Sequence, residues 1–190
     1  MKSEEIKKAA LKHFAVNGYE GTSLSQIADD VKIKKQSIYS HFKGKDDLFL
    51  AVLTDAKEME LSFYEAYFKQ KQDPERTLYG FLDEMRRMFQ ENENLKFWLR
   101  MEFFPPTHLY KVVQREAADL ENQQEALLEK LFDSWIAEGA IRSGNARTLT
   151  LAYTGVIVAI LVELVYSDDP KRLEDKFDAL WTVFWSGISK

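Results

Sequence analysis

Residues 22–48 read TSLSQIADDVKIKKQSIYSHFKGKDDL, and the rest of the chain can be organised around this stretch. Two short helical patterns lie on either side of a three-residue turn at 32–34. The first begins at Ser23, which has the spacing of a capping box with Gln26. The second runs from about residue 35 to 42 and exposes polar side chains in its first turn. This arrangement predicts a helix-turn-helix, a motif whose second helix fits the major groove of DNA.

Charge is unevenly distributed along the chain. The net charge of the 190 residues is −5, yet residues 1–47 hold nine lysines against seven acidic residues. Within them, residues 32–45 contain five lysines, His41 and no acidic residue. The remainder carries 17 basic and 24 acidic residues. We therefore expect a small basic edge on an acidic body, with any nucleic-acid contact confined to that edge.

The composition is that of a soluble globular protein, with 45% hydrophobic and 30% charged residues. The chain has no cysteine, which excludes disulfides, thiolate metal sites and cysteine nucleophiles and fits a reducing compartment. The first residues, MKSEEIKKAALKHF, are charged throughout and lack the apolar core of a signal peptide. These features predict a cytoplasmic protein.

The remaining chain predicts further helices and no strands. Asp-Pro pairs at 73–74 and 169–170 are typical helix starts, and Gly18 and Gly139 are typical helix ends. The predicted helices cover about residues 4–16, 23–31, 35–42, 46–71, 74–91, 95–104, 107–138, 146–167 and 170–188. The expected fold class is all-α, with about nine helices, an N-terminal three-helix helix-turn-helix domain at 1–47 and a C-terminal helical bundle at 48–190.

The second helix of the motif carries side chains that can reach base edges, since lysine suits guanine acceptors and glutamine suits adenine. The predicted base contacts are Lys35, Gln36, Ser37 and Ser40. Donor groups of the types that contact phosphates flank that helix. The predicted phosphate contacts are Thr22, Ser25, Lys34, Tyr39, His41 and Lys45. The alternative is a plain helical hairpin with a solvated lysine face.

The same segment resembles the N-terminal DNA-binding domain of the TetR/AcrR family. The resemblance rests on Gly18, Thr22, Ser23, Ile27-Ala28, Ile33, Ile38-Tyr39, His41-Phe42 and Lys45 to Leu48. The family signature ends in Tyr-x-His-Phe followed by Lys-acid-x-Leu. Two positions depart from the family pattern: Lys32 stands where the turn usually has glycine, and Lys34 where it has a small capping hydroxyl. A lysine cap lacks the usual side-chain hydrogen bond, so the register of Lys34 to Ser37 on the bases stays open by one residue.

The resemblance implies a homodimeric transcriptional regulator, most often a repressor. Its larger domain, 48–190, would bind a small-molecule effector that changes the spacing of the two DNA-binding heads. The family dimerises through its last two helices, which form a four-helix bundle with the partner. The expected partners are therefore double-stranded DNA with a pseudo-palindromic operator, a second copy of the chain and an effector. No cofactor and no membrane contact are expected.

The last two predicted helices hold more apolar surface than one bundle needs to cover, which favours a dimer face. The predicted interface residues are Val156, Ile160, Glu163, Leu164, Phe177, Trp181, Phe184 and Trp185. A membrane span is the alternative for residues 149–166, because the run is close to the minimum length for one. The threonines, Glu163 and the capping Asn145 argue against that alternative.

Aromatic and methionine side chains at helical spacing indicate either a solid core or a ligand pocket. The predicted pocket residues are Phe63, Tyr67, Met85, Phe89, Phe97, Trp98, Met101, Phe104, Trp135 and Tyr153, with Tyr79, Phe81 and Tyr110 as further candidates. Polar groups within these helices are Arg86, Arg100, Glu102, His108 and Glu163, each more typical of a surface or paired charge. A pocket would suit a hydrophobic or aromatic effector with one polar group. A solid interior would instead indicate a regulator of the same fold that is controlled by a protein partner.

Nothing in the sequence favours an enzyme. The three histidines, His13, His41 and His108, lie in different predicted helices without metal-ligand spacing. There is no glycine-rich phosphate loop, no nucleophile elbow and no carboxylate pair in an apolar setting. We therefore expect neither catalysis nor a metal site.

Overall fold

The computed structural model describes residues 2–70, 73–89, 91–167 and 169–190, and within these ranges the regular structure is helical without strands. The helices are α1 (Lys2–Asn17), α2 (Leu24–Asp30), α3 (Lys35–Ile38), α4 (Lys45–Phe68), α5 (Pro74–Met88), α6 (Glu93–Phe103), α7 (Tyr110–Ala137), α8 (Ala146–Tyr166) and α9 (Pro170–Ile188), with a 3-10 turn at Thr107–Leu109. The all-α fold class with nine helices is thus confirmed for the described residues.

Helix ends follow the signals in the sequence. The side chains of Asp73, Asn145 and Asp169 accept hydrogen bonds from backbone N–H groups in the first turns of α5, α8 and α9. Gly18 and Gly139 follow α1 and α7 with φ angles of 71° and 67°. Only glycine adopts such angles without steric cost, so both helices end where the sequence predicts.

The third helix is shorter than predicted. It ends at Ile38, whereas the sequence pattern predicts helix to Phe42. The hydroxyl of Ser40 donates to the carbonyl oxygen of Ser37 at 2.7 Å, and the amide of His41 bonds to Ile38, three residues back. The serine side chain thus competes with the helical hydrogen bond to Ser37, which explains the early end.

Two other helices differ slightly from the prediction. Helix α4 ends at Phe68, and its predicted end at Lys71 lies outside the described residues. Helix α6 begins at Glu93 rather than Leu95, because Asn92 caps it by accepting from the amide of Leu95 at 3.0 Å. Asn92, which the sequence predicts to lie in a break before this helix, is therefore its N-cap.

The described residues form two compact units. The first comprises those of 1–62 and 91–120, and its core joins α1, α2 and α3 to the first half of α4 and to α6. The second comprises those of 63–90 and 121–190. In it, the buried hydroxyl of Tyr153 on α8 donates to the carbonyl of Leu78 on α5 at 2.6 Å. A domain boundary at 47/48 remains a prediction.

Candidate nucleic-acid interface

The capping box fixes the start of α2. The hydroxyl of Ser23 accepts from the amide of Gln26 at 3.3 Å, and the Gln26 side-chain oxygen accepts from the amide of Ser23 at 2.7 Å. Both bonds satisfy donors that would otherwise lack a partner at a helix start. The first helix of the motif therefore begins as the sequence predicts.

The turn carries the two departures from the family pattern. Lys32 has φ 55°, the one positive φ at a non-glycine residue in the described chain. Lys34 is the N-cap of α3, with extended backbone and no side-chain cap bond. Lys32 thus adopts the left-handed conformation that suits the glycine usual at this position, and Lys34 leaves the helix start uncapped.

Replacing Lys32 by glycine is expected to raise the free energy of unfolding by about 1 kcal/mol, because glycine adopts the left-handed conformation without a Cβ clash. Lys12→Gly is the matched control. Lys12 is an exposed lysine in the interior of α1, so this glycine should lower the free energy of unfolding by about 1 kcal/mol. Urea denaturation of both variants measures the difference, and equal shifts of the same sign would contradict the explanation.

Helix α3 is anchored on one side and open on the other. Ile38 and Phe42 are buried in the core of the first unit. The four predicted base-contacting residues, Lys35, Gln36, Ser37 and Ser40, are all exposed. The anchored side therefore fixes the orientation of α3, and its polar side remains open to a ligand as large as a DNA duplex.

The predicted phosphate contacts differ in their exposure. Ser25, Lys34, Tyr39 and His41 are exposed, and Lys45 is half-buried at the start of α4. The Lys45 ammonium lies 4.0 Å from the centre of the Tyr19 ring. That contact orients the ammonium at the start of α4, since a cation is attracted to an aromatic face.

Thr22 lies in a different setting from the one that a phosphate contact requires. Its side chain is only 2% exposed, and its hydroxyl donates to the carbonyl of Gly18 at 2.7 Å. The hydroxyl proton is therefore used inside the protein, where it holds the loop between α1 and α2. The predicted phosphate contact would require this proton to leave the Gly18 carbonyl.

Two contacts that sequence reasoning missed attach the helix-turn-helix to the rest of the first unit. The Arg100 guanidinium on α6 donates to the carbonyls of Ala15 and Val16, at 3.1 and 2.9 Å. These are carbonyls of the last turn of α1, which a cation stabilises. His108 lies 3.3 Å from an oxygen of Asp46, which also accepts from the Tyr19 hydroxyl.

The predicted pocket residues divide between the two units. In the first unit Phe97, Trp98 and Met101 are buried, whereas Phe104 is 65% exposed and cannot line an enclosed site in this conformation. In the second unit Met85, Phe89, Trp135 and Tyr153 are buried, and Phe63 and Tyr67 are half-buried. Tyr64 and Phe68, which sequence reasoning missed, pack on Phe81 in the same aromatic cluster.

Most of the polar groups within these helices are paired. Arg86 donates to Asp83, and buried Glu163 accepts from Lys176 and Arg172 on α9 at 2.8 and 2.7 Å. Hydrogen bonds from Lys176 and Arg172 lower the pKa of Glu163 to about 2. Glu163 thus ties α8 to α9 within one protomer.

The predicted dimer residues lie mainly on the inner side of α8 and α9. Within one protomer Val156, Ile160, Glu163, Phe177, Trp181 and Phe184 are buried, and Leu164 and Trp185 are half-buried. Other apolar residues on these helices are exposed, namely Leu151, Val158, Val165 and Val183. The predicted interface stays a prediction, and these four exposed residues are further candidates for it, because a helix that is apolar on all sides does not reveal its outer face.

Two other kinds of site are a metal centre and a membrane span. Among the described residues no group of three or more His, Asp or Glu side chains could hold a metal ion. Helix α8 is long and apolar enough to cross a membrane by length and composition. However, it packs against α9 and α5 and contains the ion-paired Glu163, as the core helix of a soluble protein does.

The chain is similar to known proteins both in its first quarter and in its fold. The family model of bacterial regulatory proteins of the tetR family matches residues 6–52. The HTH-type transcriptional regulator LmrA of Bacillus subtilis is 31% identical over 102 residues, which are 49% of this chain and only 50% of LmrA. The HTH-type transcriptional activator FasR of Mycolicibacterium smegmatis is 22% identical over 95% of this chain and 80% of FasR.

A solved structure shares the whole fold. The transcriptional regulator FadR of Bacillus subtilis, solved in complex with stearoyl-CoA, has a TM-score of 0.73 at 19% identity and covers 97% of this chain and 98% of its own. An exposed one-turn recognition helix on an all-helical body defines the class of helix-turn-helix transcriptional regulators. Within that class, residues 6–52 match the DNA-binding domain of the tetR family, and the fold is shared with a solved regulator of the TetR/AcrR family from Thermobifida fusca. The relatives of this chain are DNA-binding regulators rather than enzymes.

Proposed function

We propose that this chain is a dimeric repressor that binds a pseudo-palindromic operator and is released from it by a small, mostly apolar molecule. The observation that carries the proposal is the exposed set Lys35, Gln36, Ser37 and Ser40 on and after α3. This set lies in the acid-free basic segment of an acidic chain. Base-reading groups and phosphate-binding charge therefore occur together.

A dimer is needed for useful affinity, because a single basic segment contacts only one half-site. Three exposed residues of α8, Leu151, Val158 and Val165, recur every seven residues and therefore share one face. Val183 on α9 is 73% exposed. Unpaired apolar side chains on two packed helices suit a self-complementary contact with a second copy, so these residues form the proposed dimer face.

An effector is supported by the fold and by its aromatic interior. The solved FadR structure contains stearoyl-CoA, so a protein of this fold takes a ligand with a long apolar chain. In this chain, Phe63, Tyr67 and Phe81 pack in one cluster with ring centres 5.1 to 6.3 Å apart. Aromatic rings of this kind line ligand sites in many proteins.

Selection from a random-sequence duplex library tests the DNA-binding part. The purified chain should enrich a pseudo-palindrome and bind it as a dimer, with affinity that falls steeply as salt is raised. Recovery of no common sequence, or binding by a monomer to a single half-site, would overturn the proposal. The effector part is tested separately. An apolar small molecule is titrated into the complex, and fluorescence anisotropy measures the release of the selected duplex.

Lys45 and Gln36 are expected to act differently on DNA. Lys45→Ala should weaken binding to all sequences and lower the salt slope by about one, because a phosphate contact carries no sequence information. Gln36→Ala should relax the preference at one base pair, where the wrong base costs about 1–3 kcal/mol. Anisotropy titrations of the selected duplex and its single-base variants measure both effects.

The control for this pair is Lys130→Ala, which removes an exposed lysine from α7 in the second unit. It should leave both the affinity and the sequence preference unchanged. A uniform loss of affinity for Gln36→Ala, with the base preference intact, would mean that the register of α3 on DNA differs from the proposed one.

A further inference from the structure

Three buried polar side chains lie on the neighbouring helices α4 and α6 within the first unit. Glu60 on α4 and Asn94 and Trp98 on α6 are each less than 10% exposed. The Asn94 amide nitrogen donates to the carbonyl of Ala56 at 3.2 Å and to the Glu60 carboxyl at 3.1 Å. Polar groups this deeply buried are normally hydrogen-bonded throughout, since each unpaired atom costs about 1–3 kcal/mol.

Two atoms of this cluster depart from that rule. The Asn94 side-chain oxygen and the Trp98 indole nitrogen are buried without a hydrogen-bond partner among the residues that the structure describes. The orientation of the Asn94 amide is fixed, because turning it would point its oxygen at the carbonyl oxygen of Ala56, which can only accept. Residues four apart on a helix are neighbours on one face, so an unpaired acceptor and an unpaired donor lie one turn apart on α6.

The chemistry of these two atoms selects among ligand groups. A hydroxyl can donate to the Asn94 oxygen and accept from the Trp98 nitrogen, and it satisfies both atoms at once. A carboxylate cannot donate and would face the Glu60 carboxyl. An ammonium cannot accept and would leave the Trp98 nitrogen unpaired. The apolar part of a ligand would meet the core of the first unit, to which Ala56 and Trp98 belong.

We propose that Asn94, oriented by its hydrogen bond to Glu60, and Trp98 bind the hydroxyl group of a neutral, mostly apolar effector, such as a long-chain alcohol or an alkylphenol. The proposal rests on the effector-dependent function proposed above and names the class of effector. It places the hydroxyl site in the first unit, whereas the aromatic cluster of Phe63, Tyr67 and Phe81 belongs to the second. Burial raises the pKa of Glu60 to about 7, so the site lacks a full negative charge at neutral pH, as suits a neutral ligand.

The site has a direct structural route to the DNA-binding part of the first unit. Asn94 and Trp98 lie on α6, and the same helix carries Arg100, which donates to the last carbonyls of α1. A ligand that displaces α6 therefore acts on the helix that supports α2 and α3. Asn94 and Trp98 lie six and two residues from Arg100 on the same helix, so no other helix has to transmit the displacement of α6.

Indole NMR of the intact protein tests the proposal, with 1-octanol, octanoate and octylammonium as probes of equal chain length. The chain has four tryptophans, and the Trp98 N–H resonance is assigned from its loss in Trp98→Phe. Added 1-octanol should shift this resonance downfield in a saturable manner, since the N–H gains an acceptor. It should bind at least about tenfold more tightly than either charged probe, because a site built for a hydroxyl rejects groups that leave its atoms unpaired.

Two variants distinguish binding at the proposed site from non-specific binding of the alcohol. Trp98→Phe keeps a ring and removes the donor, and it should weaken 1-octanol binding about tenfold. Phe132→Leu trims another buried ring, in the second unit, and should leave the affinity unchanged. An unmoved Trp98 resonance, equal losses in the two variants, or tighter binding of octanoate or octylammonium would each overturn the proposal. An unmoved resonance would indicate that a buried water already forms hydrogen bonds with the Asn94 oxygen and the Trp98 nitrogen.

The same samples distinguish this proposal from the proposed function. If 1-octanol binds at Trp98 while the selected duplex stays bound, the hydroxyl site is supported and effector-driven release is contradicted. If an apolar molecule without a hydroxyl releases DNA and leaves the Trp98 resonance unmoved, the regulatory function is supported and the hydroxyl site is overturned.

Discussion

Replacing Val158 and Val183 together by aspartate is expected to convert the dimer into monomers and to weaken operator binding about a hundredfold or more. Both side chains are exposed on one protomer, Val183 at 73%, so the change disturbs no core of the single chain. In the proposed dimer face the same positions are covered by the partner, and an unpaired carboxylate there cannot keep its water. Monomers lose the second half-site and with it the gain from bivalent binding.

Sedimentation velocity measures the dissociation, and anisotropy with the selected duplex measures the loss of DNA affinity. Val16→Asp is the matched control, because Val16 is an exposed valine on α1 in the first unit. It should leave the protein dimeric at the same concentration. A double variant that remains a dimer would place the interface elsewhere on the chain.

The parts of the fold that the sequence predicts are those determined by local chemistry. Ser23 and Gln26 form their capping box three residues apart, and Asp73 and Asp169 cap helices that begin with the next residue. Such signals are complete within one turn of helix, so no distant residue can cancel them. The early end of α3 at Ile38 is also local, but it depends on which acceptor the Ser40 hydroxyl chooses, which spacing alone does not determine.

The contacts that position the candidate site are not local. Arg100 and Ala15 are 85 residues apart, and Glu60 and Asn94 are 34 apart. An arginine or a glutamate within an apolar helical stripe has the same sequence signature whether it caps another helix, pairs inside the core or faces solvent. Only the packing of α6 against α1 and α4 distinguishes these roles, and sequence periodicity contains no information about that packing.

The residues of the dimer face are hard to predict from the sequence for a different reason. Residues 149–166 are apolar on almost every side, so their periodicity carries little information about which side faces the protomer's core. The predicted interface includes large apolar residues such as Ile160, Phe177 and Trp181. These residues are buried within one protomer, whereas the smaller valines of the same two helices are exposed. The one charged residue of 149–166, Glu163, lies at the contact with α9.

Glu60→Gln is expected to make the protein more stable above pH 7 and to remove most of a pH dependence that the native chain shows. Burial raises the pKa of this carboxyl from 4.5 to about 7, although the hydrogen bond from Asn94 acts in the opposite direction. The folded state therefore holds the proton more tightly than the unfolded chain. This contribution to stability is complete below pH 4.5, falls as the pH rises and is lost above pH 7. A shift of this size corresponds to about 3 kcal/mol.

A neutral glutamine can still accept the hydrogen bond from Asn94 but carries no charge that must be buried at high pH. Urea denaturation of the native chain and of Glu60→Gln between pH 5 and 8 should therefore give stabilities that diverge by up to about 3 kcal/mol at the alkaline end. Glu58→Gln, an exposed glutamate on the same helix, is the control and should follow the native chain at every pH. If Glu60→Gln also ran parallel to the native chain, the carboxyl would have to be ionised in both states, and water would have to reach it between α4 and α6.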